Sequence, residues 1–116
     1  MWLYAGLPER LPSRARELLK RDAAQIPAMA VLELTYLHEV GRARDPVATM
    51  LEALRRSIGL SVSDLSAAAL VDAAGHLSWT RDPFDRLIAA HAIVTGAPLV
   101  TADRTILANL PQAVWE

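Results

Sequence analysis

Apolar residues recur every three or four positions along most of this chain, and short continuous apolar runs interrupt them, a pattern that predicts helices separated by brief strands. Ser13 is the expected cap of a helix over 14–23, where Ala15, Leu18, Leu19 and Ala23 follow helical spacing. The run from Gln25 to Met29 predicts a strand feeding a helix over 29–40 that Gly41 closes. Asp45-Pro46 predicts a further helix to about Ser57, with Asp as cap and Pro in the first helical position. Ile58 to Val62 reads as a second strand and 64–74 as a helix ending at Gly75. The clearest helix opens at Asp82-Pro83 and runs through Thr95 to Gly96. Ala97 to Thr101 then reads as a buried strand, Asp103 to Asn109 as a short helix and Gln112 to Trp115 as a last strand. Repeated β-α alternation implies an α/β fold with a mostly parallel sheet covered by helices, and ligand sites in such sheets lie at the carboxyl ends of the strands.

Length and composition narrow the picture. A chain of 116 residues suits one domain, residues 1–116, with no linker to divide it. Hydrophobic residues make up 53% and charged ones 22%, which supports a packed core and excludes intrinsic disorder. The absence of cysteine rules out a disulfide scaffold and a thiolate zinc site. Charges break every apolar stretch and no basic region precedes a hydrophobic run at the start, so the expectation is a soluble, cytoplasmic protein without a membrane span. A net charge of −1 gives no overall field for steering nucleic acid. Local clusters must do so, and apart from Lys20 every basic residue is Arg, the side chain best shaped for phosphate or carboxylate.

The acidic residues carry the chemistry. On the helix over 29–40 the stripe Met29, Leu32, Tyr36, Leu37 and Val40 is expected to be buried, and Glu33 falls on it. A buried charge there needs a cleft, an Arg or a cation; the alternative is an edge position facing solvent. Asp82 is the natural cap of its helix and Asp85 occupies the third helical position, so both have structural explanations. Asp45-Pro46 acts as an internal control, because Ala48 stands where Asp85 stands and that helix still starts. Asp85 shares its side of the helix with Ala89 and Ala92, while Phe84, Leu87, Ile88 and His91 form the larger face. Asp103 stands just beyond a strand's carboxyl end and also fits a cap. Glu33, Asp85 and Asp103 should converge on one edge of the sheet, and an oxygen-only donor set points to Mg²⁺ or Mn²⁺. Arg81, Arg86 and Arg104 flank the acids, either to hold phosphates beside a metal or to screen the carboxylates. His38, His76 and His91 have no metal-ligand spacing and read as structural; Trp2, Trp79 and Trp115 lie in no basic stripe and read as packing. Arg14, Arg16, Lys20 and Arg21, interleaved with Glu17 and Asp22, read as a solvated helix face.

Four segments resemble the PIN-domain family, in particular its VapC-type toxin ribonucleases: Leu11-Pro12-Ser13-Arg14-Ala15-Arg16; Ile26-Pro27-Ala28 with Leu32-Glu33-Leu34; Arg81-Asp82-Pro83-Phe84-Asp85-Arg86-Leu87-Ile88-Ala89-Ala90; and Pro98-Leu99-Val100-Thr101-Ala102-Asp103. The Asp-Pro-Phe-Asp-Arg block is the most specific of them. The resemblance implies a three-layer α/β/α sandwich, a Mg²⁺ or Mn²⁺ site, endonucleolytic cleavage of RNA, homodimers and a small antitoxin partner. By position it makes Glu33, Asp85 and Asp103 metal-site carboxylates, with Asp82 beside them. One departure stands at the front. Family members begin with an apolar strand ending in Asp, ahead of a helix carrying a segment like Trp2-Leu3-Tyr4-Ala5-Gly6, whereas this sequence starts inside that helix. A start assigned too late, a chain trimmed at the front and a degraded family member all fit. The resulting expectation is an N-terminally truncated PIN-like fold with a compensating rearrangement or a partner strand.

The function so implied is that of a metal-dependent endoribonuclease, a hydrolase of RNA phosphodiester bonds and the toxin of a type II toxin–antitoxin pair. Its rival is a catalytically inactive PIN-like remnant that dimerises or binds an antitoxin, which the missing first Asp favours.

Overall fold

A computed structural model describes residues 12–21 and 23–116. The expected segment Trp2 to Gly6, Leu11 of the first matching block, Asp22 and the side chains of Lys20 and Arg21 lie outside the described residues. Among the described residues six helices and four short strands follow in the order α1 (Ser13–Arg21), β1 (Gln25–Ile26), α2 (Ala28–Glu39), α3 (Val47–Ile58), β2 (Ser61–Val62), α4 (Ala67–Gly75), α5 (Pro83–Thr95), β3 (Leu99–Val100), α6 (Arg104–Asn109) and β4 (Ala113–Val114). The α/β class and the parallel strand pairing are as expected. The strands lie in two pairs: β1 runs parallel to β2 with Gln25 opposite Ser61, and β3 runs parallel to β4 with Leu99 opposite Ala113. Backbone bonds extend each pair, from Ser63 N to Ile26 O at 2.9 Å and from Thr101 N to Val114 O at 3.1 Å.

Helix α5 is the centre of the packing. Its Ile88, Ala89 and Ala92 join Ile26, Ala30, Leu34, Met50, Leu54, Leu99 and Ile106 in the main core. On another side Ala90 packs with Leu70 and Ala74 of α4, where the small side chains let the two helix backbones come close. Helix α3 is two-faced, with Met50 and Leu54 buried, Val47, Leu51 and Ile58 beside them, and Arg55 and Arg56 paired to Glu52 on the solvent face.

Three local expectations are corrected. Ser13 is the first residue of α1 rather than the residue ahead of it. Asp45 does not cap α3: Pro46 takes the cap position with extended backbone (ψ 149°), no side-chain cap bond forms, and the helix begins at Val47. Pro83, by contrast, is the first helical residue of α5, and Asp82 caps it. The comparison between the two Asp-Pro sites therefore does not hold as a control. The third correction concerns α2, where the buried residues are Ala30 and Leu34, while Leu32, Tyr36 and Val40 are about half exposed. This helix is apolar on nearly every side, so periodicity cannot select a face. Shape selects it: Ala30 presents almost no side chain and sits in one packed cluster with Ala89 and Ala92.

Candidate functional site: a carboxylate group between two helices

Two similar turns place acidic residues at helix starts. In Thr80-Arg81-Asp82 the Asp82 N–H donates to Thr80 Oγ1 at 3.2 Å, and Asp82 Oδ1 accepts from the N–H groups of Phe84 (2.8 Å) and Asp85 (3.3 Å). In Thr101-Ala102-Asp103 the Asp103 N–H donates to Thr101 Oγ1 at 3.1 Å, and Asp103 Oδ1 accepts from Ile106 N at 3.0 Å. Each threonine fixes the entry of the aspartate and each aspartate satisfies an orphan helix donor. Ala43 stands two residues before Asp45, and that site has neither feature. Arg86 reinforces the first turn by donating from Nε to the Thr80 carbonyl at 2.9 Å.

With Asp82 pinned, Asp85 projects from the first turn of α5 toward α2. Glu33 reaches the same place from the border of α2, three residues after buried Ala30 and beside buried Leu34. Single carboxylate oxygens of Glu33, Asp82 and Asp85 lie within 4.8 Å of one another. Asp103 is not in that group, yet its charge acts on Asp85. Burial pushes the Glu33 carboxyl above its ordinary value of 4.5, and the charges of Asp85 and Asp82 push the same way. Asp85 is likewise raised from 3.8, first by burial and then by Asp82 and Asp103. Half-buried carboxylates whose charges raise one another's pKa are groups whose negative charge a divalent cation can neutralise.

The donor set fits a hard divalent ion: it consists of carboxylate oxygens alone, from two helices held by a common core. The flanking arginines are placed differently. Arg81 and Arg104 are exposed, whereas Arg86 is half-buried against the turn.

The histidines take structural positions. His38 Nδ1 lies 3.1 Å from the Ala43 carbonyl, which only accepts, so that nitrogen carries the proton. His76 is exposed at the end of α4. His91 is buried with Nε2 at 2.8 Å from Ser63 Oγ, and burial lowers its pKa from 6.5. Ser63 was not a sequence candidate, and no local signal links it to a residue 28 positions away. Trp79 packs on the main core as expected, while Trp2 lies outside the described residues.

Parallel strands, acid-capped helices and a carboxylate group between α2 and α5 define a small α/β domain suited to divalent metal. The family model for the PIN domain matches residues 1–111, and the chain belongs to that family, in its VapC type. Ribonuclease VapC22 of Mycobacterium tuberculosis is 32% identical over 121 residues, covering 97% of this chain and 90% of the relative. No solved structure matches the chain at a comparable level. Among the described residues no helix is long and apolar enough to cross a membrane.

Proposed function

We propose that this chain is a metal-dependent endoribonuclease, one PIN-like domain over residues 1–116 that cleaves RNA phosphodiester bonds in the cytoplasm. It acts as the toxin of a type II pair, as a homodimer restrained by a small antitoxin. The observation that carries the reading is the convergence of Glu33, Asp82 and Asp85 from two helices, with Asp103 close enough to raise Asp85 further. The name of the mycobacterial relative supports the substrate class.

Glu33, Asp85 and Asp103 would hold the ion together with Asp82, which would also orient an attacking water while its Oδ1 remains bonded to the helix start. Bound there, Mg²⁺ or Mn²⁺ supplies the positive charge that makes a water acidic and neutralises charge on the leaving oxygen. Arg81 and Arg104, both exposed, are available to neighbouring phosphates, and Arg86 holds the Thr80 turn through its Nε bond to the Thr80 carbonyl.

Two measurements test this. RNA cleavage must require Mg²⁺ or Mn²⁺ and must fall on Asp85→Asn and on Asp103→Asn; unchanged activity in either variant defeats the assignment. Saturable Mn²⁺ binding with a rise in melting temperature is expected, whereas its absence returns the chain to the inactive-remnant reading.

A further inference from the structure

The two Thr-x-Asp turns are built alike but supported differently. The second leaves strand β3: Thr101 is fully buried, its N–H donates to Val114 O at 3.1 Å, and Asp103 follows from a strand pair that is already fixed. The first has no such base. Residues 76–82 form neither helix nor strand, Thr80 is half-buried and Asp82 is exposed. Yet Asp82 is the aspartate that stands with Glu33 and Asp85 in the carboxylate group. A ligand carried on irregular, solvent-facing backbone samples many positions unless something outside the turn restrains it. Four residues after each aspartate stands Arg86 in α5 and Leu107 in α6, so only the first turn has a side-chain donor at this place. Helical side chains lean toward the N-terminus of their helix, which carries the Arg86 guanidinium back over the first turn of α5, and its Nε–H meets the Thr80 carbonyl at 2.9 Å.

Resting on the metal-site reading, we propose that Arg86 and Thr80 are positioning residues that set the metal affinity of the carboxylate group through Asp82. Arg86 fixes the Thr80 carbonyl, Thr80 Oγ1 accepts the Asp82 N–H at 3.2 Å, and Asp82 Oδ1 accepts the N–H groups of Phe84 and Asp85. The relay begins and ends on α5. Asp82 is thereby locked to the helix that carries Asp85, so these two carboxylates keep their spacing while α2 supplies Glu33. Two features set this role apart from the screening of charge and from help in forming the helix. Asp82 and Asp85 lie within four residues of Arg86, yet its bond goes to a neutral backbone oxygen. A cation near a helix start has the wrong sign for the helix dipole, so Arg86 does nothing for α5 by its charge. Partners one step removed from a metal orient the groups that bind it, and losing one weakens binding more than it weakens the fold.

The test uses the full chain and reads Mn²⁺ affinity by electron paramagnetic resonance of the free ion, beside melting temperature in chelator and the anisotropy of a labelled single-stranded RNA in chelator at several salt concentrations. Arg86→Gln and Thr80→Val should each weaken Mn²⁺ binding about tenfold to a hundredfold, while the melting temperature in chelator falls by a few degrees at most. Thr80→Ser should bind Mn²⁺ as the unaltered chain does, because the hydroxyl that accepts the Asp82 N–H is kept. The double variant Arg86→Gln with Thr80→Val should lose little more than the more damaging single one, since both act through one turn. Unchanged Mn²⁺ affinity in Arg86→Gln overturns the relay; if its melting temperature falls all the same, the bond serves the fold alone. A loss in Arg86→Gln confined to metal-free RNA binding, with a shallower salt dependence, makes Arg86 a phosphate contact and overturns the relay too. The parent reading fails separately: no saturable Mn²⁺ binding by the unaltered chain refutes the metal site, and binding that obeys the relay without RNA cleavage refutes the nuclease alone.

Discussion

Asp82 carries two duties that a pair of substitutions separates. Its Oδ1 accepts the Phe84 and Asp85 N–H groups at 2.8 and 3.3 Å, and a carboxylate oxygen lies within 4.8 Å of both Glu33 and Asp85. Asn preserves the cap and removes the charge, whereas Ala removes both. Losing a cap costs about 1 kcal/mol, equivalent to roughly 4 °C in melting temperature for a domain of this size. Two like charges at the 4.8 Å outer limit of the group repel by about 1 kcal/mol in water and about 3.5 kcal/mol at an effective dielectric near 20; Asp82 is exposed, so the lower figure applies. In metal-free buffer Asp82→Asn should therefore melt at or slightly above the unaltered chain, and Asp82→Ala about 4 °C below Asp82→Asn. With Mn²⁺ about tenfold above its Kd, the unaltered chain should gain about 1.4 kcal/mol, a rise of roughly 5 °C that both variants largely lose. Differential scanning fluorimetry with and without chelator reads all of these shifts. If Asp82→Asn keeps the whole metal-induced rise, Asp82 is a cap alone and the three-carboxylate site is refuted. If it melts as low as Asp82→Ala without metal, the capping account is wrong.

Other consequences follow from the same structure. Glu33 and Asp85 bind protons more tightly in the folded chain than in the unfolded one, so their contribution to stability falls as pH rises from their ordinary values of 4.5 and 3.8 through the raised ones. Thermal melts of the metal-free chain should show this slope and Asp85→Asn should reduce it; an unchanged slope contradicts the repulsion. His91 has the opposite sign, because its lowered pKa means that stability is lost as pH falls below about 6.5, and His91→Gln should flatten that limb of the melting profile. Gln112 Nε2 donates to the carbonyls of Ala92 at 2.7 Å and Ala97 at 3.0 Å, tying β4 to the end of α5. Gln112→Ala should cost about 1–2 kcal/mol in chemical denaturation, with Gln112→Glu no better because a carboxylate cannot donate. Ile88 is fully buried at the centre of α5, and Ile88→Ala should cost about 2–5 kcal/mol, measured as a fall in the urea midpoint; a change below about 0.5 kcal/mol contradicts its central placement.

Local chemistry in the sequence was enough for the elements that start and stop on strong signals. The Asp82-Pro83 start and Gly96 stop of α5 and the Asp103 cap of α6 depend on backbone donors and left-handed backbone within a few residues of each other, whereas the Gly59 end of α3 (φ 69°) fell inside the strand expected over Ile58 to Val62. The family likeness was legible too, because the Asp-Pro-Phe-Asp-Arg block and Thr-x-Asp are contiguous. Asp45 escaped this logic because one proline torsion, invisible in composition, moved the helix start by a residue. The buried face of α2 could not be read either: with apolar residues all round, only the fit of Ala30 against α5 decided that Leu32, Tyr36 and Val40 face outward. The same placement turned Glu33 toward Asp82 and Asp85 and made Asp82, rather than Asp103, the third oxygen within 4.8 Å. Meetings between residues far apart in sequence, such as Ser63 with His91, were settled by packing alone. Capping and turn chemistry act over a few bonds and leave a mark in the sequence. The choice among apolar faces depends on volumes that exist only once the helices are together.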